Sequence, residues 1–470
     1  DVYKRQSNDA SALTHLKVMP DLWVESNRTH GIDLEAMTDM TGMIGNDAKI
    51  RGKNFKAGSD ESWSDSYAYY WKEMMSYDFM SSVSPNKSNI NTESHFLSTT
   101  QFRDLYMTPE YVNSTYWLAT LLGMDANLTW FWGREPDGSV ESRLIGDSGM
   151  NALGEAYAAS VAQQPRVANQ VYQTMTDINT FASEVTEIQE QKKPIRIFYS
   201  ETSAIINEDY MENQYDMYQN LFFNGFPIGF ATQNIIDKQD NKLWDVIVVY
   251  NTPNVTDTEF NALQTYLNKG GTVILDSISL KYDENHKNRS AVLKEGKGKL
   301  ISVDKTVDEI ASQAIGCVDM SNFSPIKLSE SNGLEQKGCM WRVIPSDNGK
   351  YTMSILNIGK NTATINISAY DKNISSVTDM FTQQARTTNF TIESEGVMML
   401  EITLTDKPTD SVKPTDSVKP TDLVKPTEST KPTNPVELTN QITSKNVTAT
   451  IENTASVSSK ESNDISSPST

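Results

Sequence analysis

The chain has 470 residues, 37% of them hydrophobic and 9% aromatic, with a formal net charge of −20 and a pI near 4.7. Chains of this length hold about two to four domains, and the apolar content supports packed cores, which excludes a wholly disordered polypeptide. The acidic balance argues against nucleic acid or an anionic membrane as partner, because basic patches supply that affinity.

The first residues, Asp1-Val2-Tyr3-Lys4-Arg5-Gln6, lack the apolar core of a signal peptide and read as a break rather than a native start. From about residue 12 to 165, short strands alternate with helical stretches. Leu13 to Met19 reads as a strand, Leu34 to Ile44 as an amphipathic helix, Tyr67 to Met75 as a second helix and Tyr77 to Val83 as a strand. Asn89 to Glu93 follows as a strand, Thr108 to Leu122 as a helix and Leu128 to Trp132 as a strand. Such alternation implies parallel βα units, and this much chain fits half of a (β/α)8 barrel.

Residues 166–192 predict one polar amphipathic helix, with Val167, Val171, Met175, Ile178, Phe181 and Val185 on a shared stripe. Residues 193–302 start a new α/β unit, in which Ile195–Tyr199, Val246–Tyr250 and Thr272–Asp276 are buried-type strands. The helix Asp257 to Asn268 ends at Gly270-Gly271, a plausible C-cap. The unit reads as doubly wound and flavodoxin-like. Its strands run into Tyr199-Ser200, Tyr250-Asn251 and Asp276-Ser277, with no nucleophilic cysteine at an elbow and no glycine-rich phosphate loop. A structural or oligomerising role is therefore expected, with no cofactor.

Strands dominate residues 303–404, where Met340–Ile344, Tyr351–Asn357, Thr362–Ala369, Arg386–Ile392 and Val397–Leu404 predict a small β-sandwich. Beyond it, Lys-Pro-Thr recurs every sixth residue from Lys407 through Lys413, Lys419, Lys425 and Lys431. Proline at that spacing with little apolar content cannot build a core, so residues 405–470 are expected to be a disordered spacer. Such spacers hold domains away from a cell surface, which points to an extracellular or surface-attached bacterial protein. No run approaches ~18 apolar residues, so no transmembrane helix is expected. The four histidines, His15, His30, His95 and His286, are scattered without ligand spacing, so no metal site is expected. The two cysteines, Cys317 and Cys339, leave pairing open.

The chemistry concentrates around Asn91-Thr92-Glu93-Ser94-His95. A carboxylate at the C-terminal end of a barrel strand points at substrate, and Asn91 and His95 can hydrogen-bond it or sugar hydroxyls. Downstream, Trp130, Trp132 and Arg134 share a strand face; indole stacks on a pyranose, and arginine binds hydroxyl or carboxylate. Trp23, after the first strand, is placed to do the same or to cap the barrel.

These residues resemble the second half of a clan A glycoside hydrolase, most nearly the family 42 β-galactosidases. The resemblance runs from residue 12 to 404. Lys17-Val18-Met19-Pro20 resembles the fifth barrel strand, followed by Gly45-Asn46-Asp47; Tyr77-Asp78-Phe79 resembles the sixth, Asn91-Thr92-Glu93 the seventh, and Trp130 to Arg134 the eighth. It implies a partial (β/α)8 TIM barrel (residues 1–165), a connecting helix (166–192), a glutamine-amidotransferase-like trimerisation domain without its cysteine (193–302), a β-sandwich (303–404) and the tail (405–470). It also implies that Glu93 is the nucleophile of a retaining enzyme, while Asn91, His95, Trp130, Trp132, Arg134 and Trp23 shape the subsite for an oligo- or polysaccharide. Gly133 between Trp132 and Arg134 departs from the family pattern. The family's acid/base belongs to an Asn-Glu pair on the fourth strand, which has no match upstream of Leu16, so this chain alone is expected to be inactive. Rival readings are another clan A specificity, such as β-mannosidase or β-glucosidase, and a non-catalytic carbohydrate-binding or surface-display protein.

Overall fold

The computed structural model describes residues 14–24, 31–48, 74–94, 108–129 and 165–407, all within one compact unit, Asp1–Thr409. Four strands open the fold: β1 (His15–Val18), β2 (Met43–Asn46), β3 (Asn89–Ser94) and β4 (Ala126–Thr129). They pair in sequential order and all in parallel, with Leu16 opposite Ile44, Ile44 opposite Asn89, and Ile90 opposite Ala126. Parallel neighbours with helices between them are the repeat of a partial (β/α)8 barrel. The helices start where short polar side chains can cap them. Asp33 accepts from the Ala36 amide ahead of Leu34–Met40, and Thr108 accepts from Tyr111 ahead of Pro109–Leu121.

Two stretches of this first part depart from the expected elements. The helix expected over Leu34 to Ile44 stops at Met40, because Thr41 turns extended and Met43–Asn46 becomes β2. Residues 74–83, expected as the end of a helix and then the strand Tyr77 to Val83, are one helix. Tyr77 and Phe79 mimic strand alternation, but Met74, Met75, Tyr77, Phe79 and Met80 are all buried. A helix covered on every side shows no apolar stripe. Tyr77-Asp78-Phe79 is therefore not the sixth strand; β2 takes that place. Trp23, expected at a subsite or as a cap, is fully buried, its ring packed on Phe79, Tyr199 and Phe230 at centroid distances of 4.5, 5.4 and 6.1 Å. It is core.

The expected 166–192 helix is two, Pro165–Thr180 and Ala182–Gln189, broken at Phe181. Next come β5 (Ile195–Phe198), β6 (Ile228–Ala231), β7 (Val246–Val249), β8 (Thr272–Asp276) and β9 (Lys299–Val303). They form a parallel sheet in the order β6-β5-β7-β8-β9, the doubly wound order. β5, β6 and β7 are buried throughout, as strands covered on both faces must be. Gly270 closes Asp257–Lys269 with φ 108°, a left-handed cap that suits glycine. The helix Val307–Ile315 buries Ile310, Ala311 and Ala314 in the same core as β5, so the strand-dominated region begins later than residue 303.

The last layer holds β10 (Ile326–Ser331), β11 (Cys339–Pro345), β12 (Lys350–Asn357), β13 (Ala363–Ala369), β14 (Lys372–Asp379), β15 (Ala385–Arg386), β16 (Asn389–Ile392) and β17 (Val397–Asp406). All pair antiparallel, in sheets β10-β13-β16 and β11-β12-β17-β14-β15, enclosing Trp341, Ile355, Ile365 and Ile402. Cys317 and Cys339 are free thiols. No described helix is long and apolar enough to cross a membrane.

A buried ionic cluster joins the layers. Asp78 on the helix 74–83 accepts from Lys193 Nζ at 3.0 Å and from the Tyr218 hydroxyl at 2.8 Å, and Lys193 also donates to Ser81. Burial pulls the Lys193 pKa below its ordinary value, with Asp78 opposing the shift. Arg342 of β11 lies close enough for Asp78 and Tyr218 to oppose the burial that brings its pKa down to about 10. Removing Asp78 strands a buried ammonium. Asp78→Ala is expected to cost about 3–5 kcal/mol in chemical denaturation. Lys192→Ala, which breaks the half-exposed pair with Asp245, should cost less than about 1 kcal/mol.

Candidate active site

At the C-terminal ends of β1, β2 and β3 three charged side chains meet. Lys17 lies in β1, Asp47 immediately follows β2, and Glu93 is near the end of β3. The Lys17 ammonium hydrogen-bonds Glu93 Oε2 and pairs with Asp47 Oδ2 at 3.5 Å. Their side chains are 38% (Lys17), 23% (Glu93) and 3% (Asp47) exposed, so Glu93 stays partly accessible while Asp47 is buried. β2 separates β1 from β3, so the lysine must cross it. The register sets Lys17 opposite Gly45, which has no side chain, and the His15 imidazole fills the space where a Cβ would stand.

Partial burial draws the Lys17 pKa down. The hydrogen bond to Glu93 and the charges of Asp47 and Glu93 outweigh it, and the net shift is upward. A lysine raised in this way contributes its pairing fully below the ordinary lysine range, and the contribution fades as pH climbs through the raised value. The cluster therefore keeps its cation throughout neutral and acidic pH.

Glu93 is aimed by its backbone. Between Asn91 and Ser94, β3 advances three residues while β4 advances two, from Asn127 to Thr129: a β-bulge at Thr92-Glu93. Bulges re-aim side chains beside active sites and leave a backbone group without its ladder partner. Asn91 supplies the substitute, its Oδ1 accepting from the Glu93 amide at 3.2 Å. The Asn91 amide nitrogen in turn donates to the Ala48 carbonyl at 2.9 Å and the Tyr77 hydroxyl at 3.1 Å. Tyr77 also donates to Asn46 Oδ1 at 3.3 Å, and Asn46 donates to Asn89 Oδ1 at 2.6 Å. Past the bulge, the Thr129 and Tyr116 hydroxyls hydrogen-bond at 2.8 Å, and burial pushes the Tyr116 pKa up to about 12.

Of the residues singled out from sequence, Glu93 and Asn91 come together, with Asn91 buried beneath the carboxylate rather than facing a ligand. Trp23 is elsewhere, in the core. His95, Trp130, Trp132 and Arg134 lie outside the described residues. Lys17, Asp47 and Tyr77 were not anticipated here. The strand-end criterion that selects Glu93 also selects Lys17 and Asp47 when applied to every strand.

No protein-family model matches the chain, and no curated protein is similar to it. Among solved structures, an exo-carrageenase of glycoside hydrolase family 42 from Bacteroides ovatus is 41% identical with a TM-score of 0.78, covering 86% of this chain and 54% of its own. The chain is similar in sequence and fold to this family 42 glycoside hydrolase. It spans about half the length of that neighbour. A family 42 β-galactosidase from G. stearothermophilus is 12% identical with a TM-score of 0.62 (85% of this chain, 65% of that one), and another β-galactosidase, from Bacillus circulans sp. alkalophilus, is 11% identical with a TM-score of 0.57 over the same shares. At those identities the β-galactosidases share the fold.

Asn91 ties this family 42-like rim to the helix beneath it. Asn91→Ala leaves the Glu93 amide and the Tyr77 hydroxyl without this partner, and a loss of about 1–3 kcal/mol is expected in chemical denaturation. Faster hydrogen exchange at the Glu93 amide should accompany it.

Proposed function

We propose that this chain supplies the nucleophile of a retaining glycoside hydrolase that cleaves terminal β-galactosides, with Glu93 attacking the anomeric carbon. The observation that carries this reading is Glu93 on a bulge at the C-terminal end of the third parallel strand, ion-paired to Lys17 and partly exposed. Retaining hydrolysis uses an ionised carboxylate and a protonated carboxyl about 5–5.5 Å apart. The other carboxylate on this rim among the described residues, Asp47, is tied to the Lys17 ammonium, so the described barrel strands do not provide the proton donor. On this reading the 470-residue chain by itself does not turn over glycosides with poor leaving groups, a deficit of roughly 10²–10⁴-fold.

The Bacteroides ovatus neighbour is named an exo-carrageenase. Its identity to this chain supports a galactan, attacked from a chain end, as the substrate class. We further propose that the α/β layer is related to the glutamine-amidotransferase fold and brings copies of the protein together as a trimer, and that the Lys-Pro-Thr tail is a spacer holding it away from a cell surface.

The test compares two substrates on this chain. A dinitrophenyl β-galactoside departs without a proton, whereas an alkyl β-galactoside needs one. A burst of dinitrophenol that vanishes in Glu93→Gln, beside no turnover of the alkyl galactoside, is expected. Dinitrophenol release untouched by Glu93→Gln would remove Glu93 from the role, and brisk alkyl galactoside turnover would overturn the predicted inactivity.

A further inference from the structure

We propose that Lys17 is a positioning residue for Glu93, and that Asp47 is the standing counter-ion that keeps Lys17 in place when Glu93 gives up its charge. This rests on Glu93 being the nucleophile and adds two residues to that site.

The geometry is specific. Lys17 comes from a strand not paired with β3, stands opposite Gly45 of the strand between them and places its ammonium on Glu93 Oε2. Its second partner, Asp47, is almost wholly removed from solvent and follows the strand in between. A lone lysine on a nucleophile would lose its counter-charge during the reaction. A lysine held from below by a buried carboxylate does not.

In the glycosylation step a Glu93 oxygen forms a bond to the anomeric carbon while the bond from that carbon to the leaving oxygen breaks. The electron pair goes to the leaving oxygen, which takes a proton from a carboxylic acid on its side of the sugar. Glu93 becomes a neutral ester, so the cluster changes from one cation with two anions to one cation with one anion. Lys17 and Asp47 remain a balanced pair, and the ammonium stays beside the ester to receive the carboxylate when water cleaves it. In the free protein the same ammonium holds Glu93 ionised and in place. Among the described residues, the titratable side chains placed around Glu93 are Lys17 and His15 of β1, Asp47 after β2, and Tyr77 and Tyr116 beside the bulge.

The test needs no turnover. Carbodiimide couples to protonated carboxyls, so labelling of the Glu93 peptide against pH, read by mass spectrometry, gives the pH midpoint of Glu93 in the full chain. Lys17→Met should raise that midpoint by about one to three pH units, the usual effect of losing an adjacent opposite charge, and Lys17→Arg should restore it. Asp47→Asn should move it the other way, because the ammonium is then left to Glu93 alone. Opposite signs are a signature that general loosening of the strands cannot produce. If Lys17→Met does not fold, Asp47→Asn decides: a lowered midpoint supports the proposal, and an unchanged or raised one overturns it. An unchanged midpoint in folded Lys17→Met also overturns it. Failure of the nucleophile reading shows separately, as a dinitrophenol burst that survives Glu93→Gln.

Discussion

The Asp78 carboxylate, closed off from water between Lys193 and the Tyr218 hydroxyl, is the contact on which the arrangement of the layers depends. In a low-dielectric interior each charge is tolerable because the other is there, and neither layer can withdraw without stranding one. The helix 74–83 is pinned on several sides. Asp78 and Ser81 hold Lys193, the Ser82 hydroxyl accepts from the Phe230 amide at 3.0 Å, and Phe79 packs on Trp23, Tyr199 and Phe230. Tyr77, one residue before Asp78, turns instead to the barrel strands and joins Asn46 to Asn91.

That division of labour connects the α/β layer to the candidate site through one helix. Asn91 is held from below by Tyr77 and Ala48, and it holds the Glu93 amide at the bulge. From above, the side chain of Glu93 is held by Lys17, itself anchored by Asp47. Backbone and side chain of one glutamate are thus fixed by two independent sets of partners, one neutral and one charged. Such double support is how a carboxylate is kept within the narrow range of positions from which attack on an anomeric carbon is productive.

Much of the fold is legible because its signals are local. Buried parallel strands such as Val246–Val249 read as unbroken apolar runs, and the helix Asp257–Lys269 carries a Thr256–Glu259 capping box at one end and Gly270 at the other. The strand end at Glu93 could be located for the same reason. What escaped was set by tertiary context. β2 has four residues including Gly45 and Asn46, too short and too polar for a periodic signal. The helix 74–83 is buried all round, so Tyr77 and Phe79 passed for a strand. Trp23 looked like a subsite residue because an indole after a strand is ambiguous until its surroundings are known. Lys17 and Asp47 are ordinary charges in sequence; only the parallel register brings them to Glu93.

The central claim is that Glu93 is the nucleophile, and covalent capture tests it most directly. The protein is incubated with 2,4-dinitrophenyl 2-deoxy-2-fluoro-β-galactoside, whose fluorine slows breakdown of the glycosyl ester, then digested and mapped by mass spectrometry. One fluorogalactosyl group on Glu93, lost in Glu93→Gln, is the predicted result. Capture at another residue, or equal capture in Glu93→Gln, would contradict the account.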